Sequence, residues 1–267
     1  MARRPASPEH GCAWVTGASS GIGYELCREL TRRGWKVAAS ARSEDKLQEL
    51  ALAGPGDIFP VPCDVADRKS VKDAAEAIRA RFGKIGLVVS NAGVYLPIEA
   101  PHFSATLFKR TFDINVIGAA HLMEEVLPDM SWRHEGHVHF VSSATGFGGM
   151  PTASAYGASK AALINMAECL KIELERDGVG ISLSTPGFVE TPAQDDNTFP
   201  KPFMIQPSEA AMRIADAVMQ GGFERTFPRR FTWMLKAIYA LPKFMYLPLV
   251  RIQTGWNKPS GERKRPN

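Results

Sequence analysis

The sequence contains little cysteine, and none of it lies in a recognisable pairing pattern. The four cysteines among 267 residues are scattered without a CxxC pair or zinc-ligand spacing: Cys12, Cys27, Cys63 and Cys169. This argues against a disulfide-stapled secreted scaffold and against a cysteine-based zinc site. Free thiols are typical of a reducing compartment, so we expect a cytoplasmic protein. His134, His137 and His139 cluster without further ligands in reach, and we expect no metal site.

Long uninterrupted apolar runs are also missing. The N-terminal segment MARRPASPEHG is basic but lacks the apolar stretch of a secretory signal. Residues 228–252 are rich in aromatic and aliphatic side chains, but Lys236, Pro242, Lys243 and Pro248 interrupt them and argue against a membrane-spanning helix. Two short helices are predicted instead. They could cap a substrate pocket, pack in a dimer interface or lie on a bilayer with basic residues among the head groups.

Acidic residues are almost absent from the C-terminal end. From Arg225 to Asn267 there are ten Lys or Arg residues and one acid, Glu262, a balance of +9 in a chain of net charge +4. The first 224 residues carry the difference between +4 and +9, about −5. A basic tail beside an acidic body suggests an anionic surface as partner, and a merely solubilising tail is the alternative. We expect no nucleic-acid partner.

What the chain does have is a regular alternation of short apolar runs and longer amphipathic segments. The predicted strands are CAWVT, KVAAS, IFPVP, LVVS, HVHFVS, ISLST and RTFP. The predicted helices span roughly 21–33, 44–52, 67–82, 103–130, 154–177 and 208–220. This order predicts a Rossmann-like α/β fold, a doubly wound parallel sheet of about seven strands with helices on both faces. We predict one domain over residues 1–227, followed by an apolar and basic extension over 228–267.

The first predicted strand is followed at once by the glycine-rich segment TGASSGIG, residues 16–23, which opens a helix. Glycines allow a tight turn and a close approach of the backbone to a pyrophosphate, whose charge then faces the amides of the helix N-terminus. An ordinary glycine-rich turn is the alternative. The residues predicted to bind the cofactor here are Gly17, Ser19, Ser20, Gly21, Ile22 and Gly23.

The end of the second predicted strand indicates which dinucleotide binds. An NAD-preferring enzyme usually carries an acid here for the ribose 2′-hydroxyl, but this chain has Ala41 followed by Arg42. A guanidinium suits a 2′-phosphate by charge and by geometry. We therefore predict NADP(H) as cofactor, with NAD(H) as the weaker alternative. Asp64, after the third strand, is placed to accept a hydrogen bond from the adenine amino group.

Ser143, Tyr156 and Lys160 have the spacing of an acid–base site. Tyr156 and Lys160 lie four residues apart, one turn along the same face of a helix. An ammonium beside a phenol favours the phenolate, so we expect a lowered tyrosine pKa and proton transfer near neutral pH. Ser143 ends a predicted strand and could hydrogen-bond the same substrate oxygen. Alone, the Tyr-x-x-x-Lys pair is more often a solvated helix face.

Together these residues make the chain resemble a short-chain dehydrogenase/reductase of the compact single-domain type. The matching motifs run in family order through residues 12–191: TGASSGIG at 16–23, CDV at 63–65, NAG at 91–93, Asn115 in INVIG, Ser143 with Tyr156 and Lys160, and PGFVET at 186–191. Ser90-Asn91 departs from the family's usual Asn-Asn doublet, but Asn91 is kept. The motifs do not cover the chain after about residue 228.

The resemblance implies a reversible hydride transfer between a ketone or aldehyde and an alcohol. It implies that Tyr156 is the general acid and base, that Lys160 lowers its pKa, that Ser143 polarises the carbonyl and that Asn115 holds a water of a proton relay. Cofactor contacts are implied for Asp64, Val65, Asn91, Ala92, Gly93, Tyr156, Lys160, Pro186, Gly187, Val189 and Thr191.

The resemblance also implies a lid over the substrate and a homo-oligomer. The lid would span about 191–206, where Phe199, Phe203, Met204 and Ile205 favour an apolar or lipid-like small-molecule substrate. A homodimer or homotetramer is expected, in the cytoplasm and with possible peripheral membrane contact through 228–267. The alternative function is a catalytically silent NADP(H)-binding regulatory protein of the same fold.

Overall fold

A single parallel β-sheet forms the centre of the protein. The structure, a computed structural model, describes residues 4–191 and 201–257. In these ranges the strands are β1 (Cys12–Thr16), β2 (Val37–Ala41), β3 (Ile58–Pro62), β4 (Ile85–Ser90), β5 (His137–Val141), β6 (Gly180–Pro186) and β7 (Glu224–Phe227). All seven join one sheet, and their positions agree with the predicted strands to within two residues.

The order of the strands creates a crevice at one edge of the sheet. The sheet runs β3-β2-β1-β4-β5-β6-β7, so the chain moves outward from β1 to β3 and then crosses back to β4 on the other side of β1. Loops after β1 and β4 therefore diverge at the carboxyl ends of two neighbouring strands. Ligands of doubly wound folds bind at such a switch point. The predicted fold class is confirmed.

Helices cover both faces of the sheet. They are α1 (Gly21–Arg32), α2 (Glu44–Ala53), α3 (Arg68–Phe82), α4 (Ala105–Phe112), α5 (Gly118–Arg133), α6 (Ser154–Leu174), α7 (Pro207–Gln220), α8 (Arg229–Tyr239) and α9 (Lys243–Gln253). Leu26, Leu47 and Ile214 of α1, α2 and α7 enter one buried cluster with the sheet. Helices α3, α5 and α6 supply the second cluster through Ile78 and Leu122, among others. Burial on both faces explains why the strands are apolar throughout rather than alternating.

The predicted helix over 103–130 is interrupted in the structure. Between α4 and α5 the residues Asp113–Ile117 are π-helical, and the amide of Gly118 donates to the carbonyl of Asp113, five residues back. A Cβ on Gly118 would lie 2.7 Å from a methyl group of Val65, so this glycine lets the helix approach the loop after β3. The periodicity of the sequence does not reveal this one-residue shift in the backbone hydrogen bonds of the helix. Asn115 lies within the π-helical segment.

The two short helices predicted within 228–252 are confirmed as α8 and α9. α8 packs on the protein through Phe231, Thr232 and Leu235, while only Tyr246 and Val250 of α9 are buried. Within the described ranges, none of the helices combines the length and apolarity needed to cross a bilayer. The boundary between a catalytic domain and a C-terminal extension at 227/228 stays a prediction.

Candidate active site

The glycine-rich segment after β1 forms an open cradle at the switch point. Gly17 and Gly21 have φ angles of 69° and 56°, in the left-handed region that favours glycine. Ser20 precedes α1, but its side chain makes no capping hydrogen bond. The first amides of α1 thus have no side-chain acceptor and face the cavity beside the switch point, which suits a phosphate group.

Asn91 fixes the loop after β4 against this cradle. Its Nδ2 donates to the carbonyl of Thr16 at 2.8 Å, and its backbone amide donates to Thr16 Oγ1 at 3.1 Å. The amide of Ala92 donates to the same hydroxyl at 3.1 Å. A Cβ on Gly17 would lie 2.9 Å from the Cα of Ala92, so the two loops touch without room for a side chain. These contacts hold the two loops together at the switch point.

Gly23 has a different role from the other cradle glycines. A Cβ there would lie 2.2 Å from the carbonyl oxygen of Gly17, so Gly23 allows α1 to pack closely on the turn. It does not line the cavity. Gly23 therefore shapes the cradle without facing the bound group.

The far end of the cavity carries the residues predicted to select the dinucleotide. Arg42 is exposed directly after β2, and its guanidinium forms no hydrogen bond or ion pair with the described residues. Asp64 Oδ1 accepts a hydrogen bond from the amide of Ala66 at 3.0 Å, which fixes the carboxylate beside Val65. Arg42, Asp64 and Val65 all line the cavity. This wall of the cavity thus carries a cation without an ion-pair partner among the described residues and an oriented carboxylate, which can both bind polar groups of a dinucleotide.

Ser143, Tyr156 and Lys160 come together at the opposite end. Tyr156 and Lys160 lie in the first two turns of α6, and Lys160 Nζ is 5.6 Å from the centre of the Tyr156 ring. Ser143 Oγ accepts hydrogen bonds from Thr145, from the amide at 3.2 Å and from Oγ1 at 3.0 Å. The Ser143 proton is left for donation, and a hydrogen bond between Ser143 and the Tyr156 hydroxyl acts to lower the pKa of Tyr156. The alternative interpretation, that Tyr156 and Lys160 only form a solvated helix face, is wrong, because Lys160 is buried.

The burial of Lys160 determines its charge state. Its Nζ donates to the carbonyl of Val141, the last residue of β5, at 2.9 Å. Desolvation lowers the pKa of Lys160 to about 8. The ammonium is thus held in the protein interior by one described hydrogen bond, and it faces the cavity where a ribose would lie.

The expected lowering of the Tyr156 pKa does not occur in the ligand-free protein. Burial raises the pKa of Tyr156, a hydrogen bond with Ser143 opposes the rise, and Tyr95 adds to it. Lys160, whose ammonium lies 5.6 Å from the centre of the Tyr156 ring, is not among the causes. The spacing in the sequence predicts correctly that Tyr156 and Lys160 lie close together, but desolvation decides the direction in which the pKa of Tyr156 shifts.

Asn115 lies in the π-helical segment and is buried behind the cavity. Its Oδ1 accepts from the amide of Val94 at 2.8 Å, and its Nδ2 donates to the carbonyl of Val94 and to Ser159 Oγ. Ser159 in turn donates to the carbonyl of Tyr156 at 2.7 Å. Asn115 therefore ties the loop after β4 to the first turn of α6. A Cβ on Gly93 would lie 3.2 Å from Asn115 Oδ1.

One cavity of about 260 Å³ joins the cradle to the tyrosine. Apart from Gly23 and Asn115, every residue predicted for the catalytic or cofactor site lines it, including Pro186, Gly187, Val189 and Thr191 at the β6 end. Seven lining residues were not among the predicted site residues, and these are Ala41, Cys63, Val94, Tyr95, Ile114, Val141 and Ser142. Each lies next to a predicted site residue or within two positions of one, so proximity in sequence was the available signal.

A second, apolar cavity opens beside Ser143 and Tyr156. It has a volume of about 40 Å³, and its other walls include Tyr95, Phe188 and, from α8, Phe231 and Leu235. The Tyr95 ring meets the Tyr156 ring edge-on, with centroids 5.2 Å apart. The C-terminal helix α8 is thus part of the site, which the motifs ending at residue 191 did not indicate.

The predicted lid is described only at its two ends. Residues 192–200, with Phe199, lie outside the described residues. Ile205 exchanges backbone hydrogen bonds with the strand-like segment beside the cavity, to Phe188 at 3.1 Å and from Glu190 at 3.0 Å. The Phe203 ring lies 5.9 Å from that of Phe231, so this end of the segment contacts α8.

The histidines are accounted for by structural hydrogen bonds. His137 and His139 are buried between β5 and β6, where they bond to Ser182 and Ser184. Burial lowers their pKa values to about 4 and about 3. Over residues 4–191 and 201–257, no group of His, Cys, Asp or Glu side chains is arranged to hold a metal ion.

The fold and the site together define a nicotinamide-dinucleotide oxidoreductase of the doubly wound class. The family model described as short chain dehydrogenase matches residues 11–200. A protein of Myxococcus xanthus named "uncharacterized oxidoreductase" is 36% identical over 91% of this chain and 96% of its own length. The "11-beta-hydroxysteroid dehydrogenase-like 2" of Arabidopsis thaliana is 32% identical over 78% of this chain and 68% of its own.

Among solved structures, an actinorhodin polyketide ketoreductase variant with NADPH superposes with a TM-score of 0.74 at 26% identity, covering 83% of this chain and 97% of that one. This chain belongs to the short-chain dehydrogenase/reductase family. It is an oxidoreductase of that type and uses a nicotinamide cofactor.

We expect Gly17→Ala to weaken dinucleotide binding at least tenfold, because the new Cβ would push Ala92 and the loop after β4. The matched control is Gly83→Ala, whose φ of 82° is similar but whose Cβ would meet nothing within 4 Å. Both should lose about 1–2 kcal/mol of stability through left-handed strain. Fluorescence titration and urea unfolding measure the two effects. Unchanged binding in Gly17→Ala would show that the cradle tolerates movement.

We expect Lys160→Met to stabilise the cofactor-free protein. With a pKa of about 8 against about 10.4 unfolded, the folded state binds fewer protons between these values, so wild-type stability rises with pH through this window. At pH 7 the free energy of unfolding of the variant should exceed that of wild type by about 2 kcal/mol. Removing the buried charge contributes about 1.4 kcal/mol per unit of the pKa shift, and losing the hydrogen bond subtracts about 1 kcal/mol. The gain should shrink from pH 8 to 10.

Thermal or urea unfolding across this pH range tests the gain. The exposed Lys72→Met is the control and should change stability by less than about 0.5 kcal/mol at every pH. A Lys160→Met variant that is less stable than wild type at pH 7 contradicts the expectation.

Proposed function

We propose that this protein is an NADP(H)-dependent reductase that interconverts an apolar ketone or aldehyde with its alcohol. The observation that carries the proposal is that Ser143, Tyr156 and Lys160 line the same cavity as the glycine cradle. Pro186 and Gly187 line the same cavity as Tyr156 and would flank the nicotinamide of a dinucleotide held there. The cofactor supplies the hydride, and the protein supplies position and the proton.

The proton chemistry follows from the residues around Tyr156. In reduction, Tyr156 donates its phenolic proton to the carbonyl oxygen, while the Ser143 hydroxyl would turn its hydrogen bond from Tyr156 to the same oxygen as charge develops. A buried ammonium stabilises the phenolate that remains, which is the role proposed for Lys160. Asn115 keeps the first turn of α6 in place through Ser159, which we propose as its main contribution.

A change in the environment of Tyr156 would accompany cofactor binding. Its pKa is raised by burial in the ligand-free protein, and a positively charged oxidised nicotinamide beside it would favour the phenolate. The raised pKa favours the acid form of Tyr156 that carbonyl reduction needs, and the positive charge of an oxidised cofactor would favour the base form that alcohol oxidation needs.

NADP(H) rather than NAD(H) is proposed from the wall around Arg42. The exposed guanidinium has no described partner to satisfy it, and Ala41 cannot bind a ribose 2′-hydroxyl as an acid would. The NADPH of the actinorhodin ketoreductase structure is consistent with this choice. An apolar substrate is supported by Phe188, Phe231 and Leu235 around the smaller cavity.

We further propose a cytoplasmic homodimer or homotetramer. The cytoplasmic location is supported by the four free cysteines, of which three are buried. Burial raises the pKa of Cys12 to about 12 and that of Cys63 to about 11, so these thiols are unreactive. The silent regulatory alternative is disfavoured because a binding protein has no need of the Ser143, Tyr156 and Lys160 arrangement.

We expect Tyr156→Phe to lower kcat for carbonyl reduction by about 10²–10⁴-fold, because it removes the proton donor but keeps the ring. NADPH affinity should change by less than threefold. Steady-state rates on a panel of steroids, keto lipids and small aldehydes, together with fluorescence titration, provide the measurement. Tyr24→Phe, on α1 outside the cavity, is the matched control.

A Phe variant as active as wild type would exclude Tyr156 as the proton donor. Wild-type protein that binds NADPH tightly but turns over no carbonyl of the panel would favour the silent alternative.

We expect Arg42→Ala to raise KM for NADPH by about 10- to 100-fold, the range for one hydrogen-bonded charge, and to leave KM for NADH within twofold. Lys46→Ala removes a neighbouring exposed cation of α2 and is the control. Initial rates with both cofactors measure the preference. Parallel losses with NADPH and NADH would mean that Arg42 does not contact a 2′-phosphate.

A further inference from the structure

Helix α9 is apolar on the side that faces solvent as well as on the side that faces the protein. Its buried residues are Tyr246 and Val250. The outer side carries Phe244, 78% exposed, and Ile252, 61% exposed, together with Met245, Pro248 and Leu249. At 3.6 residues per turn these five positions fall within about 140° of the helix circumference. A helix with apolar residues on both sides is normally buried, so we expect this outer face to contact another apolar surface.

Helix α8 also has two apolar sides. Phe231 and Leu235 face the smaller cavity of the active site. Trp233 and Met234 are exposed, by 62% and 44%. The outer sides of two consecutive helices thus carry large apolar groups, more than the single exposed residues that a monomer surface usually shows.

The charges on these helices have one sign. Arg229, Arg230, Lys243 and Arg251 are exposed, and none of them forms an ion pair with a described residue. Lys243 Nζ lies 5.0 Å from the centre of the Tyr246 ring, and Arg251 Nε donates to the carbonyl of Trp256 at 3.2 Å, so both keep their full charge. From residue 226 to 257 there is no Asp or Glu. Lys236 differs, because it pairs with Glu224 and holds α8 on the sheet. The outer faces of α8 and α9 therefore combine exposed apolar side chains with uncompensated positive charge.

We propose that α8 and α9 dock the protein on an anionic lipid bilayer. Aromatic and aliphatic side chains such as Trp233 and Phe244 would enter the head-group boundary, and the four cations would face the anionic head groups. This is peripheral attachment, in which the helices lie on the surface. The docking does not depend on the reaction proposed above.

A second copy of the chain fits this surface less well. In a two-fold symmetric contact the same patch meets itself, so the cations of one copy would face the cations of the other. Residues 226–257 contain no acid that could neutralise them. An anionic bilayer matches both features at once, because it offers an apolar boundary under a negative surface.

The placement of α8 gives docking a consequence for the active site. The same helix forms a wall of the apolar cavity on one side and presents Trp233 on the other. Docking would hold that wall against the bilayer, next to lipid-soluble carbonyl compounds. This last step, unlike docking itself, rests on the proposed function.

Co-sedimentation of the full chain with vesicles tests the docking. We expect the protein to bind anionic vesicles of phosphatidylcholine with about 30% phosphatidylglycerol. Binding to vesicles of pure phosphatidylcholine should be at least tenfold weaker. The double variant Lys243→Gln/Arg251→Gln should bind the anionic vesicles about 25-fold less, roughly fivefold per cation. Its binding should also depend less on salt.

The apolar side is tested by Phe244→Ser/Ile252→Ser, which we expect to bind at least tenfold less than wild type. Leu52→Ser, an 87% exposed apolar residue on α2, is the matched control and should bind like wild type. Circular dichroism and cofactor titration check that each variant is folded.

Two results would overturn the proposal. One is wild-type protein that does not bind the anionic vesicles, or binds them no better than Phe244→Ser/Ile252→Ser does. The other is a lower oligomer mass of Phe244→Ser/Ile252→Ser than of wild type in sedimentation velocity, which would make this face a contact between copies.

Discussion

A lysine ammonium buried at the carboxyl edge of the sheet is the constraint on which the rest of the site depends. Lys160 donates to the carbonyl of Val141, so the end of β5 must lie beside the second turn of α6. A Cβ on Gly93 would make a tight contact of 3.2 Å with Asn115 Oδ1, so the glycine leaves room for that amide beside the lysine. Burial lowers the lysine pKa and costs stability, a cost that active sites commonly carry for function.

The parallel sheet explains why cradle and tyrosine share one cavity. All strands point the same way, so the turns after β1, β4, β5 and β6 meet at one edge although they are far apart in sequence. Asn91 and Asn115 then fix that edge through hydrogen bonds to Thr16 and to Ser159. Asn91 bonds to backbone and Asn115 to both backbone and the Ser159 hydroxyl, and these bonds position the loops that shape the cavity.

The C-terminal helices extend the site beyond the family motifs. Composition left three roles open for residues 228–252, and the structure shows that α8 forms a wall of the apolar cavity. Phe231 achieves this by packing against Gly187, where a Cβ would lie 2.8 Å from its ring. The outer side of α9 is not explained by that role, and its charge and exposure led to the bilayer proposal.

The sequence by itself determined the strands, the cradle and the pairing of Tyr156 with Lys160, because these follow from local periodicity and from fixed spacings. Only the tertiary structure decided the π-helical segment around Asn115, the raised pKa of Tyr156 and the part played by α8. Each of these depends on what distant segments bury. Desolvation and close packing are properties of the folded surroundings, which the spacing of residues along a chain does not contain.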